Sequence, residues 1–226
     1  MVARALSLGF AQLTDRRMIW IFAKSMLITL ILTAGIAVLA GYGASGLLER
    51  WIDHDQYGAA DGIAGALIGL VVFVFGFRAV AVPVLSFFGD EVASAVETLH
   101  YPDTASSARP ASAALATRLA LLSFTRFLLI NLALLPVYIF LLLTAIGPLI
   151  LFLIVNGLLL GRDLGEMVAV RHSDPAAMKQ WLANTRMDRA LLGLAVTGVF
   201  MIPVVNLIAP MLGAAAATHL FHGRRP

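Results

Sequence analysis

The sequence contains no cysteine, which excludes disulfides, thiolate chemistry and cysteine-based metal sites and leaves the redox compartment open. Charge is also scarce. Asp, Glu, Lys and Arg make up 13% of the 226 residues, against about 25% in an ordinary soluble domain. No segment combines the length and polarity needed to fold separately in water. Enzyme signatures are missing: there is no HExxH, no GxSxG, no phosphate-cradling GxxxxGK[ST], and no paired histidine and carboxylate within an apolar run. These absences argue against zinc proteolysis, nucleophile-elbow hydrolysis and a nucleotide-driven step. No enzyme activity, cofactor or metal is expected.

What is present is apolar sequence, 60% of the chain, with a mean hydropathy of +0.91. This is the composition of an integral membrane protein, read as a single membrane domain over residues 1–226. The formal charge is +3, but the lysines and arginines stand at the ends of apolar runs rather than in a stripe interleaved with aromatics. A lipid bilayer is therefore the expected partner, and nucleic acid is not. Arg4 is followed by only a short mixed run before Asp15, Arg16 and Arg17 interrupt it, so the first segment is expected to be retained rather than cleaved as a signal peptide.

Residues 1–15 place Val2, Leu6, Phe10 and Leu13 at helical spacing and predict a short amphipathic interfacial helix. The run 16–40 is apolar except near its start and at Lys24, Ser25, Thr29 and Thr33, and is long enough to cross a hydrocarbon core of about 30 Å. A polar loop is expected over 41–61 and a second crossing over 62–88, interrupted by Arg78 and Pro83. Arg78 lies so deep in that run that it should face protein or water. Gly65 and Gly69 form a GxxxG pair, which predicts close packing on a neighbouring helix. Within 89–125, Val92, Val96 and Leu99 share one face while Asp90, Glu91, Ser94 and Glu97 lie largely opposite, so an amphipathic helix ending at Pro102 is followed by a loop rich in Ser, Pro and Ala.

The run 126–160 is too long for one comfortable crossing and too short for two. About 34 residues as one helix would reach about 51 Å. Pro136 and Gly147-Pro148 offer breaks, so a helical hairpin is expected. The run 190–221 repeats the pattern, with Pro203 and Pro210 inside it. Between the hairpins, 161–189 reads as a cytoplasmic helical segment, and 222–226 as a tail. The predicted fold is all-α: two long transmembrane helices, two proline-broken, partly penetrating hairpins, and amphipathic interfacial helices. The 41–61 loop carries Glu49, Asp53, Asp55 and Asp61 against Arg50, whereas Arg162, Arg171, Lys179, Arg186, Arg189, Arg224 and Arg225 lie in 161–189 and the tail. The positive-inside rule makes those basic segments cytoplasmic.

Two readings compete for Arg16 and Arg17. They stand before a helix whose N-terminus offers unsatisfied N–H groups and a positive dipole end, which suits an anion, with Asp15 as N-cap. They also suit an anchor that snorkels to headgroups and fixes topology. Lys24, seven residues on and on nearly the same face, either extends an anion path inward or snorkels back. Asp163 and Glu166 are expected to pair with Arg162 and Arg171 at the membrane surface. His54, His100 and His172 read as solvated, while Asn131, Asn156, Asn206 and His219 read as helix-packing residues.

Three stretches carry a resemblance. MIPVVNLIAPMLGAAAATHLF (Met201 to Phe221), NGLLLGRDLGEMVAVRH (Asn156 to His172) and FFGDEVASAVETLHYP (Phe87 to Pro102) resemble the family of the bacterial sulfate permease CysZ and the eukaryotic etoposide-induced membrane proteins. The likeness implies two long helices with two hairpins, a homo-oligomer, a multi-pass protein of the bacterial inner membrane, and inward movement of sulfate or a similar oxyanion for cysteine synthesis. It places the sulfate-binding arginine pair on Arg16 and Arg17. The permeases enter that pair through a Pro-Gly turn, whereas Leu13, Thr14 and Asp15 stand here. The alternative within the same family is a non-transporting membrane scaffold or assembly factor.

Overall fold

A computed structural model describes residues 1–48, 60–109 and 112–224. The expectations for Glu49, Arg50, Asp53, His54, Asp55 and Arg225, and for the side chains of Asp61 and Arg78, lie outside the described residues. Among those described, the chain is helical without strands. It forms two compact units, one of Met1–Ile19 with Gly89–Pro226 and the other of Trp20–Phe88.

In the second unit, α2 (Arg16–Leu48) supplies all residues from Trp20 onward, and α3 (Ala60–Phe87) the rest. The first helix runs on to Leu48 through Gly41-Tyr42-Gly43, a stretch expected to be loop. Apolar flanks and close packing outweigh the low helix propensity of the glycines. The GxxxG expectation is met: a Cβ on Gly65 would lie 2.7 Å from the carbonyl oxygen of Gly41, and one on Gly69 2.9 Å from that of Ala37. Backbone therefore rests on backbone, which only glycine permits here. The helix α3 bends by 44° between Phe77 and Ala79. Leu39, Tyr42 and Phe75 point outward, each more than 70% exposed, a surface suited to lipid.

The first unit begins with α1 (Val2–Gln12). It continues with α4 (Gly89–His100), the single turn α5 (Pro102–Ala105), α6 (Ala113–Leu141), α7 (Gly147–Ala169), α8 (Pro175–Asn184), α9 (Arg186–Phe200) and α10 (Ala209–Gly223). Every residue of α10 from Ala209 to Phe221 is buried, because its GAAAAT run is small on all sides and admits α1, α4, α7 and α9 around it. The N-terminal helix lays Ala5, Gly9 and Gln12 against this core and leaves Phe10 half exposed. Leu164, Val168, Leu192, Val196 and Phe221 complete the core.

The run expected to form the first hairpin is divided between α6 and α7. Pro136 stays inside α6, and the break falls between Leu141 and Gly147, with Pro148 in the first turn of α7, where its missing N–H costs nothing. Both helices extend into flanks that read as polar, Ala113 to Thr125 and Gly161 to Ala169. Each is thus long and apolar enough to cross a membrane, as is Arg16–Leu47; the bent pair Gly62–Phe77 and Ala79–Phe87 qualifies when taken together. The second pair differs. Helices α9 and α10 have 15 residues each, a reach of only about 22 Å, and they are joined by a turn in which Val204 has φ 70°. Gly157 and Gly161 of α7 abut α9 so closely that a Cβ on Gly161 would collide with the carbonyl of Arg189, and one on Gly193 with that of Gly157.

Candidate functional site

Arg16 and Arg17 open α2 and are both exposed. Among the described residues neither makes an ion pair. The Asp15 carboxylate accepts the Arg17 backbone N–H at 2.8 Å, so Asp15 acts at this helix start as the sequence suggests. That has a chemical consequence. The carboxylate occupies one donor and its charge offsets the dipole end, so an anion taken here would be held by the guanidinium groups more than by the helix terminus. Lys24 falls in the other unit, is exposed, and places Nζ 4.9 Å from the centroid of the Phe88 ring.

The charged residues in the C-terminal turns of α7 are paired. Arg162 Nε donates to Glu166 Oε1 at 2.7 Å, as expected, and Arg126 reaches Asp163 at 3.2 Å and Glu166 at 3.7 Å. Arg171 does not join them. It is buried, donating to Glu97 Oε2 at 3.1 Å and lying 3.7 Å from Asp90. Asn131 and Asn156 donate to the carbonyls of Phe127 and Phe152 at 2.8 and 3.0 Å, one turn back in their own helices, in keeping with a structural role.

Two expectations fail at Glu97 and His172. Glu97 belongs to the acidic face of α4 by periodicity, yet it is 1% exposed, and the His172 side chain is fully buried instead of solvated. The reason is mutual: a buried carboxylate is tolerable only when paired. Its Oε2 takes Arg171, and its Oε1 lies 2.6 Å from His172 Nε2. The Nε2 of His222 lies 3.5 Å from the same Oε1 without a hydrogen bond. Burial alone would raise the Glu97 pKa, but His172, His222 and Arg171 together hold it well below the usual carboxylate range.

A second chain of contacts adjoins this one. His219 Nδ1 meets Tyr101 Oη at 3.0 Å and its Nε2 meets Gln12 Oε1 at 3.1 Å. Burial, with His100 and His222 nearby, pushes the His219 pKa down to about 4. The ring is therefore neutral, donating from Nε2 to Gln12 and accepting the Tyr101 hydroxyl at Nδ1. The structural reading of His219 is thus supported. Tyr101 also stacks on His222, ring centroids 4.2 Å apart. Sequence reasoning missed this cluster. The available signal was a pair of histidines closing an alanine-rich helix with no polar face of its own, since a polar group buried in such a helix must find a partner.

Compared with known proteins, the chain matches the family model described as sulfate transporter CysZ/etoposide-induced protein 2.4 over residues 5–210. No curated protein matches it.

Proposed function

Because the chain belongs to the sulfate transporter CysZ/etoposide-induced protein 2.4 family, we propose that it is an anion permease of the bacterial inner membrane, taking up sulfate or a similar oxyanion for cysteine synthesis. The observation that carries this reading is the exposed Arg16 and Arg17, which make no ion pair among the described residues, at the mouth of a long apolar helix. Two planar guanidinium forks replace part of an oxyanion's hydration shell, and their exposure keeps binding weak enough for release. Lys24 is the next cation along the same helix and extends the path. Assembly with further copies of the chain is part of the proposal, because α6 leaves Leu121, Phe124, Leu132 and Phe140 exposed.

Anchoring and anion binding separate experimentally. Topology responds to total positive charge near a helix end, whereas binding responds to donor geometry. Arg16→Lys with Arg17→Lys should keep insertion and orientation but weaken sulfate affinity by about 1–3 kcal/mol, if two charge-assisted hydrogen bonds are lost. Affinity of the purified proteins and uptake of labelled sulfate into liposomes containing only this chain are the measurements. Equal affinity and flux in both proteins would make the pair an anchor, and no flux in either would leave the scaffold reading.

Orientation has its own test in the cysteine-free background. Single cysteines at Gln56, Ser106 and Ala176 are probed in intact cells with an impermeant reagent. Gln56 is expected to label from outside, and Ser106 and Ala176 only after the inner membrane is opened. Labelling of Ser106 and Ala176 from opposite sides contradicts a hairpin that returns to its starting side.

A further inference from the structure

Oxygen Oε1 of Glu97 and the Nε2 atoms of His172 and His222 converge so that all three lie within 4.8 Å of one another, on side chains almost wholly withdrawn from solvent. They come from three separate parts of the chain: α4, the turn after α7, and the last turns of α10. We propose that they form a site for a divalent transition-metal ion of the zinc class, which clamps these three segments together.

The argument starts from His222. Its Nδ1 faces Thr104 Oγ1 at 3.5 Å, while that hydroxyl donates to the Tyr101 carbonyl at 3.0 Å. The hydroxyl proton being committed, Nδ1 is the donor of the pair, which leaves Nε2 as the ring nitrogen whose lone pair a metal ion would take. That lone pair points toward carboxylate oxygen Oε1 at 3.5 Å, buried and without a hydrogen-bond partner. A carboxylate oxygen and an imidazole nitrogen that converge in a buried site at 3.5 Å, without a hydrogen bond between them, are placed as two ligands of one cation. The separation suits one: ligand atoms about 2.0–2.2 Å from a tetrahedral zinc lie roughly 3.3 Å apart. The 2.6 Å contact of His172 must open to a similar separation, and Nε2 is the atom that would face the ion.

The surroundings resemble the outer shell of a metal site. Arg171 donates to Oε2, the oxygen turned away from the histidines, and so presents Oε1 as a single ligand. Its charge is shared with Asp90 at 3.7 Å, so two carboxylates stand against one guanidinium before any ion enters. Two imidazoles and one carboxylate favour zinc and its neighbours over magnesium or calcium, and leave one tetrahedral position open.

The test uses the full chain, purified without a polyhistidine tag and stripped with chelator, with zinc chloride as the probe. After equilibrium dialysis the parent should hold about one zinc per chain and unfold at a higher temperature than the stripped protein. His222→Gln should lose at least tenfold in zinc affinity together with the zinc-dependent rise in Tm, while His100→Gln keeps both. A folded parent that takes up no zinc overturns the proposal, because a proton then answers the His222 lone pair. Undiminished zinc binding by His222→Gln overturns it as well. If His222→Gln does not fold, X-ray absorption of the zinc-loaded parent decides: two imidazoles and an oxygen donor support the site, and fewer than two imidazoles refute it.

Discussion

Replacing Glu97 by alanine is expected to destabilise the protein by about 3–5 kcal/mol, the range found when one partner of a buried ion pair is removed. Arg171 is 6% exposed and would keep its charge with Asp90 as its remaining carboxylate among the described residues, while His172 would lose the acceptor at 2.6 Å. Most of the cost is the stranded guanidinium rather than the worth of the bond. The double variant Glu97→Ala with Arg171→Met should therefore be more stable than Glu97→Ala alone, an apolar side chain being cheaper than an unpaired charge in that position. Denaturant or thermal unfolding in detergent micelles, with chelator present so that metal plays no part, measures both. A Glu97→Ala protein within about 1 kcal/mol of the parent would mean that water reaches Arg171 and that the cluster is not dry.

The second large effect is expected at Gly161. A side chain there has no room, because its Cβ would overlap the Arg189 carbonyl, and Gly193 meets Gly157 in the same way from the other helix. Gly161→Leu should separate α7 from α9 and cost about 3 kcal/mol or more, at the upper end of overpacking effects, since backbone and not a flexible side chain must yield. Gly198, with nothing within 4 Å of its Cβ position, is the control. Gly198→Ala should be neutral or add about 0.5–1 kcal/mol through helix propensity. Thermal unfolding of the two variants beside the parent is the comparison, and equal midpoints would show that α7 and α9 do not depend on this crossing.

The helices were legible where apolar run length and proline position speak for themselves. The run Phe127 to Leu160 announced a break, and Gly147-Pro148 marked the start of the helix that follows it. The ends were not legible, because a polar helical turn such as Gly161-Arg162-Asp163 looks like loop until its partners are known, and Arg126 lies 37 residues from Asp163. The same holds for Glu97. Periodicity assigns it to the acidic face of α4, and only a contact with residues 74 and 75 positions away turns that face inward. The GxxxG of α3 was readable since the motif names its own geometry. The equivalent spacing of Gly157, Gly161 and Gly165 in α7 carried the same information. Arg16 and Arg17 were visible as a motif, but among the described residues no side chain pairs with their guanidinium groups, so the sequence and the fold leave the anion site and the anchor both as readings.

The burial of α10 on every side has a consequence for biosynthesis. The helix it packs against most extensively at the front of the chain, α1, precedes it by nearly 200 residues, and α4, α7 and α9 are also made before it. At about 5–20 residues per second, α1 waits roughly 10–40 s for the element that fills the centre of its unit. Once His172 is made and until α10 follows, the nascent chain holds Glu97, Arg171 and His172 without His219 and His222. Stalling or cleavage just before Ala209 would release a chain with its apolar helices inserted and its centre missing.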